Sequence, residues 1–136
     1  MKTLGIDFGE KRVGIAISDN SGIIAEPLST IIRKSDEKVI DEITNICQEK
    51  KVEQIVLGIP LSANEDVQNR YKSFSQKIED KTGIKPNFWD ETFSTKQAQN
   101  MVAFFEPDDR KPKTSTHKDN VAAAVILQEF LDDQTK

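Results

Sequence analysis

The chain has 136 residues and a mass of 15.3 kDa, enough for one compact domain with a continuous core and too little for two independent lobes. Hydrophobic residues make up 36% and charged residues 31%, a balance that excludes global disorder and leaves apolar material for a sheet with covering helices. The net charge of −4 argues against indiscriminate polyanion binding, which is driven by Lys and Arg, and leaves room for a local basic surface. No apolar run approaches the ~20 residues that span a bilayer, and Met1-Lys2-Thr3 leads straight into strand-like sequence, so a cytoplasmic protein with no membrane partner is expected. Cys47 is the single cysteine, which rules out an intrachain disulfide or a Cys-rich zinc site; it reads as a small core hydrophobe.

In chain order, residues 2–8 place Leu4, Ile6 and Phe8 on one face of a strand, and residues 12–18 repeat the alternation with Val13, Ile15 and Ile17. Gly9-Glu10-Lys11 is the turn between them. A third strand runs from Ile23 towards Ile32 after the turn Asp19-Asn20-Ser21-Gly22, completing an antiparallel meander. Ser35 is the expected N-cap of a helix reaching about Lys50, with Asp36 and Glu37 in its acidic first turn. Residues 53–58 form a short apolar strand, 65–82 a polar helix stopped by Gly83, and 86–89 a further strand delivering Asp90 and Glu91 to its end. Residues 95–105 read as a helix, 106–118 as a flexible loop, and Asp119 to about Leu131 as the last helix. The order βββαβαβαα predicts an α/β domain spanning 1–136, a mixed five-stranded sheet with helices on both faces.

Three acids stand out. Asp7, in Gly5-Ile6-Asp7-Phe8-Gly9, ends a strand expected to be central and buried, where an ionised carboxylate costs several kcal/mol, of order 5, unless a cation or hydrogen bonds offset it. It reads equally well as an Asp capping the turn at Gly9. Asp90-Glu91 follows a parallel strand, where functional groups of open α/β sheets gather; alternation allows one of the two into a shared site, with Glu91 preferred and Asp90 in reserve. Asp119, taken alone, reads first as a helix cap worth roughly 1 kcal/mol, although the alanines after it permit close approach to the sheet.

Hard oxygen ligands without a Cys or His cluster favour Mg2+ or Mn2+, and a pair of such ions about 4 Å apart suits phosphoryl chemistry. Lys11 and Arg12 beside the first acid, and Arg110, Lys111, Lys113, His117 and Lys118 before the last, are the cations a polyanionic substrate would meet. His117 reads equally as a passive loop residue. Trp89 is more readily a core aromatic than a base-stacking platform.

Together, the stretch from Gly5 to Ala16 (Gly-Ile-Asp-Phe-Gly-Glu-Lys-Arg-Val-Gly-Ile-Ala), Gly58-Ile59-Pro60-Leu61, Asp90-Glu91 and Asp119-Asn120-Val121-Ala122-Ala123 resemble the YqgF family, also called RuvX, of RuvC-like Holliday junction resolvases. The resemblance spans nearly the whole chain. It implies an RNase H-like fold, a metal-dependent nuclease with Asp7, Glu91 and Asp119 as catalytic metal ligands, and a nucleic-acid partner. Precursor 16S ribosomal RNA, matured at its 5′ end during ribosome biogenesis, is the favoured substrate, and branched DNA the alternative. A monomer or a homodimer is compatible with it. One departure stands out: the family commonly reads Asp-Glu-Arg where this chain has Asp90-Glu91-Thr92, removing a cation from the substrate's path.

Two rivals remain at this level. An ATP-binding protein of the actin and sugar-kinase type shares the opening phosphate-loop pattern, but its nucleotide lies between two lobes, and one short domain supplies half of such a cleft. A catalytically silent RNA- or ribosome-binding module would keep the fold without turnover.

Overall fold

In the computed structural model the described residues are 1–9, 11–60, 63–90 and 115–134, with the backbone alone at 115–119. The strands are β1 (Thr3–Phe8), β2 (Arg12–Ser18), β3 (Ala25–Ile32), β4 (Gln54–Ile59) and β5 (Asn87–Asp90). The helices among the described residues are α1 (Asp36–Lys50), α2 (Glu65–Thr82) and α3 (Ser115–Gln134). They build a five-stranded sheet of order β3-β2-β1-β4-β5. β1, β2 and β3 pair antiparallel, as a meander must, while β4 joins β1 and β5 joins β4 in parallel. The expected mixed sheet is therefore present, with β1 at its centre.

Alternation along the strands separates two faces. Leu4, Ile6, Phe8, Val13, Ile15, Ile55 and Leu57 project into a core closed by Val39, Ile40, Ile43 and Cys47 of α1 and Phe74 and Ile78 of α2. Those helical positions recur at the spacing that makes one apolar stripe, and each fully buried aliphatic stabilises the fold by about 1.5–3 kcal/mol relative to an exposed one. The opposite face carries small residues, Ala16, Ala25 and Val56, packed against Ala123, Ala124, Ile126, Leu127, Phe130 and Leu131 of α3. Helices thus lie on both faces. Among the described residues no helix is long and apolar enough to cross a membrane.

The expected signals Ser35 and Gly83 act at α1 and α2, and the structure adds an N-cap for α2. Ser35 caps α1 by accepting a hydrogen bond from the Lys38 amide at 3.2 Å. Asn64 caps α2 through the Val67 amide at 2.9 Å, and Gly83 ends it with φ 78°, a left-handed conformation that glycine adopts without strain. Two expectations need correction. β3 begins at Ala25, not Ile23, because the Asp19 carboxylate accepts from the Ile23 and Ile24 amides at 2.8 and 3.2 Å and commits them to the turn. The last helix runs from Ser115, about one turn upstream of Asp119. No proline or glycine follows Pro112 to stop helix formation before Asp119. The helix expected at 95–105 lies outside the described residues.

Candidate functional site at the carboxyl end of β1

The carboxyl end of the central strand is fastened from two sides. The turn after β1 is closed by the Gly9 amide bonding to the Arg12 carbonyl at 2.9 Å. A Cβ on Gly9 would lie 2.6 Å from that same oxygen, so only glycine fits the turn. The Phe8 carbonyl accepts from the Tyr71 hydroxyl of α2 at 2.9 Å, and the Gly9 carbonyl from Arg33 Nη1 at 3.4 Å. Both carbonyls lie at the end of the strand, and side-chain donors satisfy them. Phe8 stacks on Phe74 at 4.0 Å and meets Tyr71 edge-on at 5.4 Å, while the Arg33 guanidinium sits 4.3 Å above its ring. An ion pair from Arg33 Nε to Asp36 at 2.9 Å completes the clamp.

Asp7 is held within this frame. It pairs with Gly14 on β2 and Gly58 on β4, so neither cross-strand neighbour has a side chain beside the carboxylate. This explains why Asp7 is half-buried instead of fully buried as its central position predicts. Alternation turns it to the face of Gly5, the face covered by α3. Gly5 permits that cover to come close: a Cβ there would lie 2.7 Å from Leu127 Cβ and 3.1 Å from the Ala123 carbonyl oxygen.

The direction of α3 follows from two contacts. Gln128 bonds to the Ala25 amide and the Ile23 carbonyl at 2.9 Å each, beyond the amino end of β1, whereas Ala123 and Leu127 lie over Gly5. Residue numbers in α3 therefore fall as those in β1 rise. Asn120, one position after Asp119, has a buried Oδ1 with no hydrogen-bond partner among the described residues.

β5 reaches the same row of the sheet. Trp89 pairs with Gly58, which pairs with Asp7, and its indole donates to Glu129 Oε2 at 3.0 Å while its ring meets Phe130 edge-on at 5.8 Å. Trp89 is thus part of the α3 packing, in keeping with the core reading. Asp90 ends β5 opposite Ile59 and is half-buried.

Of the remaining sequence candidates, Lys11 is exposed in the turn and Arg12 half-buried at the start of β2. Asp119 lies inside α3, so its reading as the helix cap is corrected: the described helix begins before it and has no acid in its first turn. His117 and Lys118 also lie in α3, not in the expected loop, and the side chains of 117–119 are outside the description. Glu91, Thr92, Arg110, Lys111 and Lys113 lie outside the described residues. Within those described, no three His, Cys, Asp or Glu side chains are grouped to hold a metal.

Sequence reasoning missed Arg33 and Arg70. With Asp7, Phe8, Gly9, Val67 and Tyr71 they line a cleft of about 270 Å3 at the strand end. The available signal was topological: a helix that follows a parallel strand starts at the sheet's carboxyl edge, so the first turns of α2 had to lie near Asp7.

Residues 1–133 match the profile of the family described as "RuvX: Holliday junction resolvase". A Syntrophus aciditrophicus protein called "Putative pre-16S rRNA nuclease" is 37% identical over 97% of this chain and 89% of its own length. A Clostridium botulinum protein of the same name is 38% identical over 97% of both chains. Among solved structures, Thermus thermophilus RuvC in complex with Holliday junction substrate aligns with TM-score 0.66 at 14% identity, covering 99% of this chain and 96% of that one. Fowlpox virus resolvase with Holliday junction DNA aligns with TM-score 0.65 at 12% identity over the full length of both. At these identities the structural likeness establishes the fold, and the fold is that of the RNase H-like resolvases.

Proposed function

The chain belongs to the RuvX family, and from that premise we propose that it is a cytoplasmic, metal-dependent endonuclease that hydrolyses phosphodiester bonds in the 5′-end processing of precursor 16S ribosomal RNA. The observation that carries the reading is the setting of Asp7, a carboxylate fixed at the end of the central strand, bare of cross-strand side chains and turned towards α3.

A second carboxylate fits the same place, and a third is proposed from the sequence motif. A two-residue step from Gly5 to Asp7 is about 6.7 Å, equivalent to roughly four to five helical residues at about 1.5 Å each. Continuing upstream along α3 from the Ala123–Leu127 contact by that amount reaches the turn of Asp119 and Asn120. Trp89 faces α3 and alternation along β5 turns Asp90 to the other side, so Asp90 is left out of the set and Glu91 enters it from the sequence motif Asp90-Glu91. This supports Asp7, Glu91 and Asp119 as the acidic set.

The residues fit a hard divalent cation, Mg2+ or Mn2+. The donors are carboxylate oxygens, the glycines flanking Asp7 leave space beside it, and Asn120 Oδ1, buried and without a hydrogen-bond partner among the described residues, is a further oxygen one position from Asp119. When bound, such an ion supplies Lewis acidity at the phosphoryl oxygen and lowers the pKa of a coordinated water. The chain's own contribution is preorganisation: the Phe8–Tyr71–Arg33 clamp holds the backbone after Asp7, and the Trp89–Glu129 bond ties the end of β5 to the helix that carries Asp119. Lys11 and Arg12, with Arg110, Lys111, Lys113 and Lys118, are the proposed nucleic-acid contacts.

RNA is preferred as substrate because the curated relatives matching over nearly the full chain are named for pre-16S rRNA. The family description favours a second reading, branched DNA. The test is cleavage of labelled precursor ribosomal RNA and of a four-way DNA junction, with Mg2+ or Mn2+, by wild type and Asp7→Asn. RNA cleavage lost in the variant is expected. Preferential cutting of the junction would replace the substrate assignment, and folded wild type that binds RNA without cutting either substrate would replace the enzyme with a silent module.

A further inference from the structure

We infer that the cleft between β1 and the first turns of α2 is a phosphate-binding subsite for the nucleic-acid backbone, with Arg70 as its main ligand. The inference rests on the nuclease reading above and adds to it a contact surface separate from the basic residues around 11–12 and 110–118. The cleft holds about 270 Å3 and is lined by Asp7, Phe8, Gly9, Arg33, Val67, Arg70 and Tyr71. It thus joins the proposed reacting end of β1 directly to two guanidinium groups.

The two arginines differ in role. Arg33 is spoken for: it pairs with Asp36, bonds to the Gly9 carbonyl and lies over Phe8, so its charge is largely offset and its position fixed. Arg70 is exposed on α2 and has no hydrogen bond or ion pair among the described residues. It is therefore the guanidinium of this cleft that has no protein partner among the described residues, in a chain whose net charge is −4. An always-charged planar fork on the α2 side of the strand end whose carboxylate faces α3 is suited to a phosphodiester one or two linkages from the cleaved one. Such a contact fixes the position of the strand and carries no base specificity.

The Val67–Tyr71 turn of α2 is well anchored for this purpose. Asn64 caps the helix, and Tyr71, next to Arg70, is bonded to the Phe8 carbonyl. The backbone that carries Arg70 is thereby tied to the segment of β1 that follows Asp7.

The test is the salt dependence of RNA binding in the non-cleaving Asp7→Asn background, together with steady-state cleavage in the otherwise wild-type protein. Arg70→Gln is expected to weaken binding severalfold and to lower the slope of log K against log salt by about 0.7, the loss of one single-strand phosphate contact. In cleavage it should raise KM and leave kcat unchanged. Arg70→Lys should restore most of the slope. Lys77→Gln, the same charge change on α2 but in the groove shared with Glu37 and Asp41 of α1, serves as the control and should behave as wild type. An unchanged slope and KM in Arg70→Gln, or an equal loss in Lys77→Gln, overturns the subsite while leaving the nuclease reading intact. Wild-type protein that neither cuts nor binds the RNA overturns both.

Discussion

The two faces of the sheet are built to different rules. The face under α1 and α2 is filled by Leu, Ile, Val and Phe, and its helices stand off the strands on bulky side chains. The face under α3 is floored by Gly5, Ala16, Ala25 and Val56 and met by Ala123 and Ala124, so helix and sheet approach closely. The first arrangement gives stability through buried area. The second gives position: it brings the helix bearing Asp119 down onto the strand bearing Asp7. A substitution on the first face should therefore cost folding free energy, and one on the second should also cost function.

The largest stability effect is expected on the aliphatic face. Ile43→Ala in α1, at a fully buried position, should lower unfolding free energy by about 2–5 kcal/mol in urea titrations while the folded fraction retains its kcat. Gly5→Ala should be smaller in stability, about 1–3 kcal/mol, because the new methyl forces Leu127 and the Ala123 carbonyl away. Its specific activity should fall further than that of Ile43→Ala; equal activity in the two variants would abolish the distinction between the faces. Next comes the tie between β5 and α3. Trp89→Phe leaves Glu129 without its indole donor and should cost about 1–3 kcal/mol in thermal or chemical melts. Glu129→Gln, which keeps an acceptor, should cost less and retain more activity.

The smallest effect is a pH dependence confined to the aliphatic face. Burial pushes the Cys47 thiol up from 9.0 to about 11. Between those values the folded state keeps the proton and the unfolded state releases it, so stability falls as pH rises from about 9 towards 11. The urea midpoint of wild type should therefore drop more between pH 8 and pH 10 than that of Cys47→Ala. An identical drop in both would show that the thiol is not protected from ionisation.

The strands were readable because period-two alternation survives in Leu4-Ile6-Phe8 and Val13-Ile15-Ile17, and the helices α1 and α2 because Ser35 opens the first and Gly83 closes the second. What was misread lay where local signals compete. Asp119 looks like a cap because Ser, Thr and Asn also surround it, yet the helix passes through it from Ser115. Ile23 and Ile24 look like strand residues, but the Asp19 side chain takes their amides. Arg33 and Arg70 carry no local signature at all, since a charge on a polar helix or after a strand reads as solvated surface; only the parallel β4–α2 connection places Arg70 beside Asp7. The role of Gly5 was likewise silent in sequence, because a missing side chain declares its purpose only when the helix above it is known.

The central claim is that the close approach of α3 to β1 joins Asp7 and Asp119 in one divalent-cation site. Its most direct measurement is calorimetric titration of Mn2+ into wild type, Asp7→Asn and Asp119→Asn, each first shown to be folded by its thermal melt. The account predicts saturable binding to wild type and its loss in both variants, although the two residues lie on different elements. Equal Mn2+ affinity in all three proteins, or loss in one variant alone, would contradict it.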